Sequence, residues 1–304
     1  MKIVIAGGTG FIGRMLVDTL VASNHSVVLL SRNPGAVRRL SPSRAAIHQW
    51  DGSSLGPWQE QMEDAGAVIN LAGEPIAGGR WSRERKGRIL RSRVNSTKIL
   101  VEAIRQSRNK PKVLINGSAV GFYGAPGDEI VAEEYPPGRG FLPETCRRWE
   151  DEASRAEDLG LRVVRLRTGL VLGDDGGALQ KMLIPFRFFV GGPIGSGRQW
   201  FPWVHRDDVV EIVQYAFGNP ALSGPLNVVA PECVTMDEFC TVLGKAMGRP
   251  SRVRVPAFFV KALFGEMSQV LLTGQRVVPA KLIKAGNAFR FPSLKGALED
   301  IAGR

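Results

Sequence analysis

The stretch GGTGFIG at residues 7–13 sets Gly7, Gly10 and Gly13 where an apolar, β-branched run gives way to a helical pattern. Gly7 permits a tight turn, Gly10 lets backbone approach a pyrophosphate, and Gly13 lets the helix pack closely on the strand. The helix start at Phe11 and Ile12 adds partial positive charge for an anion. The second apolar run ends in Ser31 and Arg32, where an NAD site carries Asp or Glu for the ribose 2′-hydroxyl. A guanidinium and a hydroxyl suit a 2′-phosphate instead. Arg32 can bind that phosphate bidentately and stack on adenine, so the spacing predicts NADP over NAD.

Other chemistries find little support. Cys146, Cys233 and Cys240 are too few and too widely spaced for a disulfide framework and include no C-x-x-C pair. With His25, His48 and His205 the only histidines, no metal constellation is visible and none is expected. The opening apolar stretch is too short for a signal peptide, and no run approaches the length of a membrane span. A reducing cytoplasm is the expected compartment. The net charge of +11 attracts anions, and its densest source is RWSRERKGRILRSR at residues 80–93. On a helix these charges scatter around the circumference, whereas a duplex-binding helix gathers them on one face. Nucleic acid is therefore not the expected partner.

The elements that must position these groups follow a βα alternation. Residues 2–6, 26–31, 45–50, 67–72, 112–117 and 161–167 are short, nearly continuous apolar runs separated by helix-length segments. Such runs belong to parallel strands covered on both faces, which gives a doubly wound α/β, Rossmann-like domain over residues 1–170. Beyond residue 170 the pattern changes to a smaller C-terminal α/β substrate domain (171–304), with some later segments returning to the first. It contains a helix near 206–217, a strand at LNVVA, and helices near 235–247 and 257–272. In the last of these, residues 259, 260, 263, 264, 267, 270 and 271 form an apolar stripe read as core packing, with a membrane-surface or partner helix as the other reading.

Taken together, GGTGFIG, Ser31-Arg32, NLAGEPI, RVNSTKILVEAI, NGSAVGFYG, RTGLVLG and GGPIGSGRQWFPWVHRDDVV occur in an order that resembles the extended short-chain dehydrogenase/reductases. More closely, the chain resembles their atypical epimerase family, the SDR39U1-like proteins, which share a C-terminal segment similar to RVPAFFVKALFGEM and LLTGQRVVPAKLIKAG. The resemblance covers nearly the whole chain. It implies NADP held by the first domain, with Leu71 and Ala72 lining the cofactor and Arg93 near its phosphates.

Measured against that family, the proton-handling groups are displaced. Extended enzymes use a Tyr-x-x-x-Lys pair and a polarising Ser or Thr. Here Cys146 stands at the tyrosine position, Glu150 at the lysine position and Ala119 at the hydroxyl position, with Ser118 one residue earlier. The candidate catalytic residues are Tyr123, Cys146 and Ser118, with Glu74 a further carboxylate near the fourth strand. Restoring a phenol and an ammonium by Cys146→Tyr with Glu150→Lys is expected to raise slow carbonyl reduction. For the substrate, Arg198 is an anion contact and Trp200 and Trp203 an aromatic wall, while His205 reads as structural. The expected activity is an NADP-dependent oxidoreductase or epimerase acting on a small carbonyl or alcohol through a non-standard proton donor. The other reading is a catalytically silent NADP-binding sensor or interaction protein, and a homodimer is compatible with both.

Overall fold

The computed structural model describes residues 1–35 and 45–303. Seven strands, β1 (Lys2–Ala6), β2 (Ser26–Ser31), β3 (Ala46–Gln49), β4 (Ala67–Asn70), β5 (Val113–Ala119), β7 (Arg162–Thr168) and β10 (Gly224–Val228), form one sheet in the order β10-β7-β5-β4-β1-β2-β3. Every pairing in it is parallel. Because the order reverses between β1 and β4, a crevice opens at their carboxyl ends, the place where doubly wound sheets bind ligands. The predicted Rossmann-like fold is present.

Both faces of this sheet are covered, which is why its strands are apolar at nearly every position. Ile3 and Ile5 pack with Leu16 and Leu20 of α1 (Phe11–Ala22) and with Val209 and Ile212 of α5 (Arg206–Gly218). Val4 and Leu114 face the other way, against Leu100 and Ile104 of α2 (Arg83–Gln106) and Ala153 of α3 (Phe141–Ser154). Thus α5 and β10, both beyond residue 170, belong to the main sheet. A separate cluster built on Phe186, Phe201, Trp203, Phe239, Leu243 and Leu298 joins α4 (Leu179–Arg187), α6 (Met236–Met247) and α10 (Leu294–Gly303). Two short parallel pairs complete the strands: β6 (Ile130–Val131) with β11 (Arg276–Val277), and β8 (Leu170–Leu172) with β9 (Trp203–His205).

The core reading of residues 257–272 is corrected. Instead of one helix, α7 (Ala257–Phe264) stops at Gly265, whose φ of +58° favours glycine, and a 3-10 turn leads into α8 (Gln269–Leu272). The break destroys the single stripe. Val260 and Met267 are buried, but Phe259 is 59% exposed and Leu263 66%. Among the described residues, β11 and then the helices α9 (Ala280–Lys284) and α10 follow. No helix of the described residues is long and apolar enough to cross a membrane.

Candidate functional site

Between β1 and α1 the three glycines take distinct roles. Gly7 has φ +83°, and a Cβ there would lie 2.6 Å from the Leu71 carbonyl carbon and 2.7 Å from the Ala72 nitrogen. Its turn is therefore pressed against the end of β4. At Gly13 a Cβ would come within 2.3 Å of the Gly7 oxygen, so the helix can approach the loop only as glycine. Gly10 differs from both, since its Cβ would meet nothing closer than the Gly7 oxygen at 3.3 Å. Gly10 is the residue that leads into the α1 N-terminus, whose first N–H groups, including those of Phe11 and Ile12, have no partners within the helix. These residues fit a pyrophosphate: Gly10, which presents no side chain, donors beyond it, and no acidic residue in the first turn of α1.

Phe11 also closes the loop from the side. Its ring sits beneath Gly173, Gly176 and Gly177, each of which would clash with it as any larger residue, and the Arg206 guanidinium lies 5.0 Å from its centroid. Arg206 in turn pairs with Asp174 at 3.0 Å and with Asp175. At the end of β2, Ser31 is buried with its hydroxyl accepting from the Asn33 amide, and Arg32 is exposed. An exposed guanidinium at that strand end suits a 2′-phosphate better than a ribose diol.

The crevice floor is polar and fully bonded. Asn70 at the end of β4 donates to Thr97 Oγ1 at 2.9 Å and to Asn116 Oδ1 at 2.8 Å, and the Trp149 indole donates to Thr97 at 2.9 Å. Asn70 also accepts from the Ala72 amide, which fixes the Leu71-Ala72 bend against Gly7. Beside it, Arg93 donates to the carbonyls of Glu74 and Ile89 and lies over the Trp149 ring at 5.2 Å. Burial pulls its pKa down, with Cys146 and Glu74 opposing that shift. Arg93 thus remains a cation held at the cleft. Glu74 itself pairs with Arg88 at 3.3 Å, one of several neutralising contacts along the basic segment.

α3 carries Cys146 and, one turn on, Glu150. Cys146 is buried beside Ser118, Ala119 and Arg93; burial, and after it Glu150, push its thiol up to about 12 against the opposing effect of Arg93. The thiol is accordingly neutral near pH 7. Glu150 makes a buried ion pair with Arg167 of β7 at 2.8 Å and accepts from the Ser118 hydroxyl at 2.6 Å. Arg167 continues the chain to Tyr123 Oη at 3.0 Å and to the Glu133 carbonyl, with its guanidinium 3.5 Å from the Phe122 ring centroid. Tyr123 donates to Asn227 Oδ1 at 2.6 Å, and burial raises its pKa to about 12. Ser118, Cys146 and Glu150 are brought together. Tyr123 is instead packed behind Arg167, with both functions of its hydroxyl engaged, a geometry that argues against its expected place as proton donor.

The expected aromatic wall is corrected in part. Trp203 is buried in the cluster with Phe201 and Phe239, and its indole donates to the Glu232 carbonyl, so it packs as core rather than forming an open wall. Trp200 is half-buried, donates to Asp128 at 2.8 Å and carries Arg276 over its ring at 4.8 Å. Arg198 is exposed in the turn after Ser196. His205 is structural as expected: its Nδ1 accepts from the Asp207 amide and caps α5.

Sequence reasoning missed Arg167, Asn70 and Thr97. The signal for Arg167 lay in LRVVRLRT: the last of three arginines in one strand must be paired when buried. Its partner Glu150 is adjacent only through the βα crossover.

Comparison with known proteins places this geometry in a family. Residues 3–229 match the NAD dependent epimerase/dehydratase family, and residues 255–301 match a domain of unknown function, DUF1731. The epimerase family protein SDR39U1 homolog, chloroplastic, of Arabidopsis thaliana is 40% identical over 306 residues, covering 99% of this chain and 86% of the relative. Epimerase family protein YfhF of Bacillus subtilis is 38% identical over 302 residues, covering 99% and 98%. Among solved structures, human epimerase family protein SDR39U1 with NADPH superposes with a TM-score of 0.89 at 35% identity, covering 100% of both chains. UDP-glucuronic acid 4-epimerase of Bacillus cereus shares the fold, with a TM-score of 0.80 at 20% identity. This chain belongs to the NAD dependent epimerase/dehydratase family and, within it, is akin to the SDR39U1 proteins.

Proposed function

We propose that the chain binds NADP(H) in the crevice between β1 and β4 and acts as an oxidoreductase or epimerase on a small carbonyl or alcohol. The observation that carries this reading is the Gly7 to Gly13 loop, in which Gly7 and Gly13 have no room for a Cβ and Gly10 leads directly into the α1 N-terminus. Gly7, Gly10, Phe11, Ile12 and Gly13 would hold the pyrophosphate, with Arg93 near the cofactor phosphates, Ser31 and Arg32 would hold the 2′-phosphate, and Leu71 and Ala72 would line the cofactor. The human SDR39U1 structure, which contains NADPH, supports the same choice. When bound, this cofactor supplies or removes a hydride.

The chain's own part is proton handling. Cys146 is the proposed donor: its thiol is neutral, it sits where the family tyrosine would stand, and Arg93 is placed to favour the thiolate left behind. Ser118, held by Glu150, fixes the edge of the site, and Arg198 and Trp200 contribute to an anionic or aromatic contact on the C-terminal side. Lys86 of α2 meets Glu266 of the C-terminal segment at 2.7 Å, an ion pair that joins that segment to α2. Three cysteines outside any disulfide support a reducing compartment, taken here as the cytoplasm.

A second reading is favoured by one observation. Ser118, Glu150, Arg167 and Tyr123 bond to one another and fill the place of the standard relay, as a silent cofactor-binding protein would allow. Following NADPH absorbance against small aldehydes and ketones separates the two. Turnover lost in Cys146→Ala and kept in Tyr123→Phe supports the enzyme; tight NADPH binding with no turnover on any substrate supports the silent protein.

A further inference from the structure

α7 faces the wrong way for an ordinary surface helix. At 100° per residue, Phe258, Phe259, Ala262 and Leu263 share one side, and that side points to solvent, while Val260 points inward. Phe258 is 64% exposed, and its ring stacks on Phe259 with centroids 4.2 Å apart. The exposed apolar surface continues beyond the helix. Val253 and Val255 donate their amides to the Gly191 and Pro193 carbonyls, which joins the segment leading into α7 to the turn that carries the exposed pair Phe188 and Phe189. Phe189 has φ +61°, an uncommon conformation for an aromatic residue, and its ring faces outward under the Arg249 guanidinium at 4.3 Å.

Charge decides what such a surface meets. No Asp or Glu occurs between Asp175 and Asp207, or between Glu238 and Glu266, the two stretches that build this face. They carry Arg187, Lys245, Arg249, Arg252 and Lys261, all exposed. In the second stretch only Arg254 meets a carboxylate among the described residues, Asp237 at 2.9 Å. A second copy of the chain would press one acid-free, basic rim against another. An anionic bilayer instead offers phosphates to the rim and an apolar boundary to the rings.

We propose that this face, formed by α7 and the Phe188-Phe189 turn, docks the protein on the surface of a membrane containing anionic phospholipid, without spanning it. Phe258, Phe259 and Leu263 enter the headgroup boundary, and Arg187, Arg249, Arg252 and Lys261 engage lipid phosphates. The proposal is independent of the cofactor chemistry.

The test is sedimentation of the full chain with vesicles of phosphatidylcholine alone or with roughly a quarter phosphatidylglycerol. Binding to the anionic vesicles is expected to be at least tenfold stronger and to weaken as salt rises. The triple variant Phe258→Glu, Phe259→Glu, Leu263→Glu is expected to lose vesicle binding while keeping its melting temperature and NADPH affinity. If the triple variant fails to fold, Arg249→Ala with Arg252→Ala is expected to weaken binding about tenfold on its own. Equal binding to both vesicles, or binding unchanged in the variants, overturns the proposal. So does a wild-type dimer in solution that ignores vesicles and that the triple variant dissociates, which would make this face a contact between two copies.

Discussion

At the residue scale, the displaced relay is one physical unit rather than a set of absent groups. A lysine at position 150 would raise no difficulty beside a tyrosine, but here position 150 faces Arg167 at 2.8 Å with both partners buried. The expectation that Cys146→Tyr with Glu150→Lys restores reduction is therefore revised: Glu150→Lys sets two buried cations together, and the folded protein should be lost unless Arg167 is also replaced. Breaking the pair by Glu150→Ala is expected to cost about 3–5 kcal/mol in urea unfolding, because Arg167 is left uncompensated. The double variant Glu150→Gln, Arg167→Met should cost less than the sum of its single changes by at least about 1 kcal/mol; strict additivity would mean the pair is not coupled. Cys146 and Glu150 were legible as departures from a pattern, yet their partners were not, since Arg93 belongs to the preceding helix α2 and Arg167 to the following strand β7, and they meet α3 only in the folded sheet. At the cofactor, Arg32→Ala should reduce the preference for NADP over NAD about tenfold, or about 1.4 kcal/mol, by calorimetry. An unchanged ratio would remove Arg32 from the 2′-phosphate site.

At the scale of elements, the strands were readable because a parallel sheet covered on both faces demands continuous apolar runs, and each predicted run overlaps its strand. The glycine loop was readable for a related reason, as Gly7 and Gly13 have no room for a Cβ. What failed was the helix at 257–272. Its apolar periodicity could describe core or docking surface equally, and only Gly265 and the outward turn of α7 distinguish them. Gly10 lends itself to a clean test at this scale. A Cβ there meets one backbone atom, the Gly7 oxygen at 3.3 Å, a tight contact, so Gly10→Val should keep its circular dichroism with a modestly lowered melting temperature while losing NADPH-induced stabilisation. Stabilisation retained in that variant would move the cofactor away from the α1 N-terminus.

For the molecule as a whole, the C-terminal segment is fastened to the main sheet at points that titrate. Asp208, in the first turn of α5, accepts the backbone N–H groups of Arg290 at 2.7 Å and Phe291 at 3.1 Å, just before α10 begins. Burial raises its pKa from 3.8 to about 6, these two hydrogen bonds oppose the rise, and Glu211 and Asp207 add to it. The sign follows from the folded pKa lying above the unfolded one. The folded state binds this proton more tightly, so the stabilisation is complete below about pH 4 and disappears as pH rises through about 6. Between pH 7 and pH 5 this group should add about 1 kcal/mol to folding stability, since one unit of displaced titration corresponds to about 1.4 kcal/mol. Asp208→Asn carries no such proton. Urea unfolding of both proteins at pH 5 and pH 7 should show the wild type gaining about 1 kcal/mol more than the variant on acidification, whereas parallel behaviour would mean that Asp208 titrates at an ordinary pKa and that the joint between α5 and the C-terminal segment is insensitive to protons.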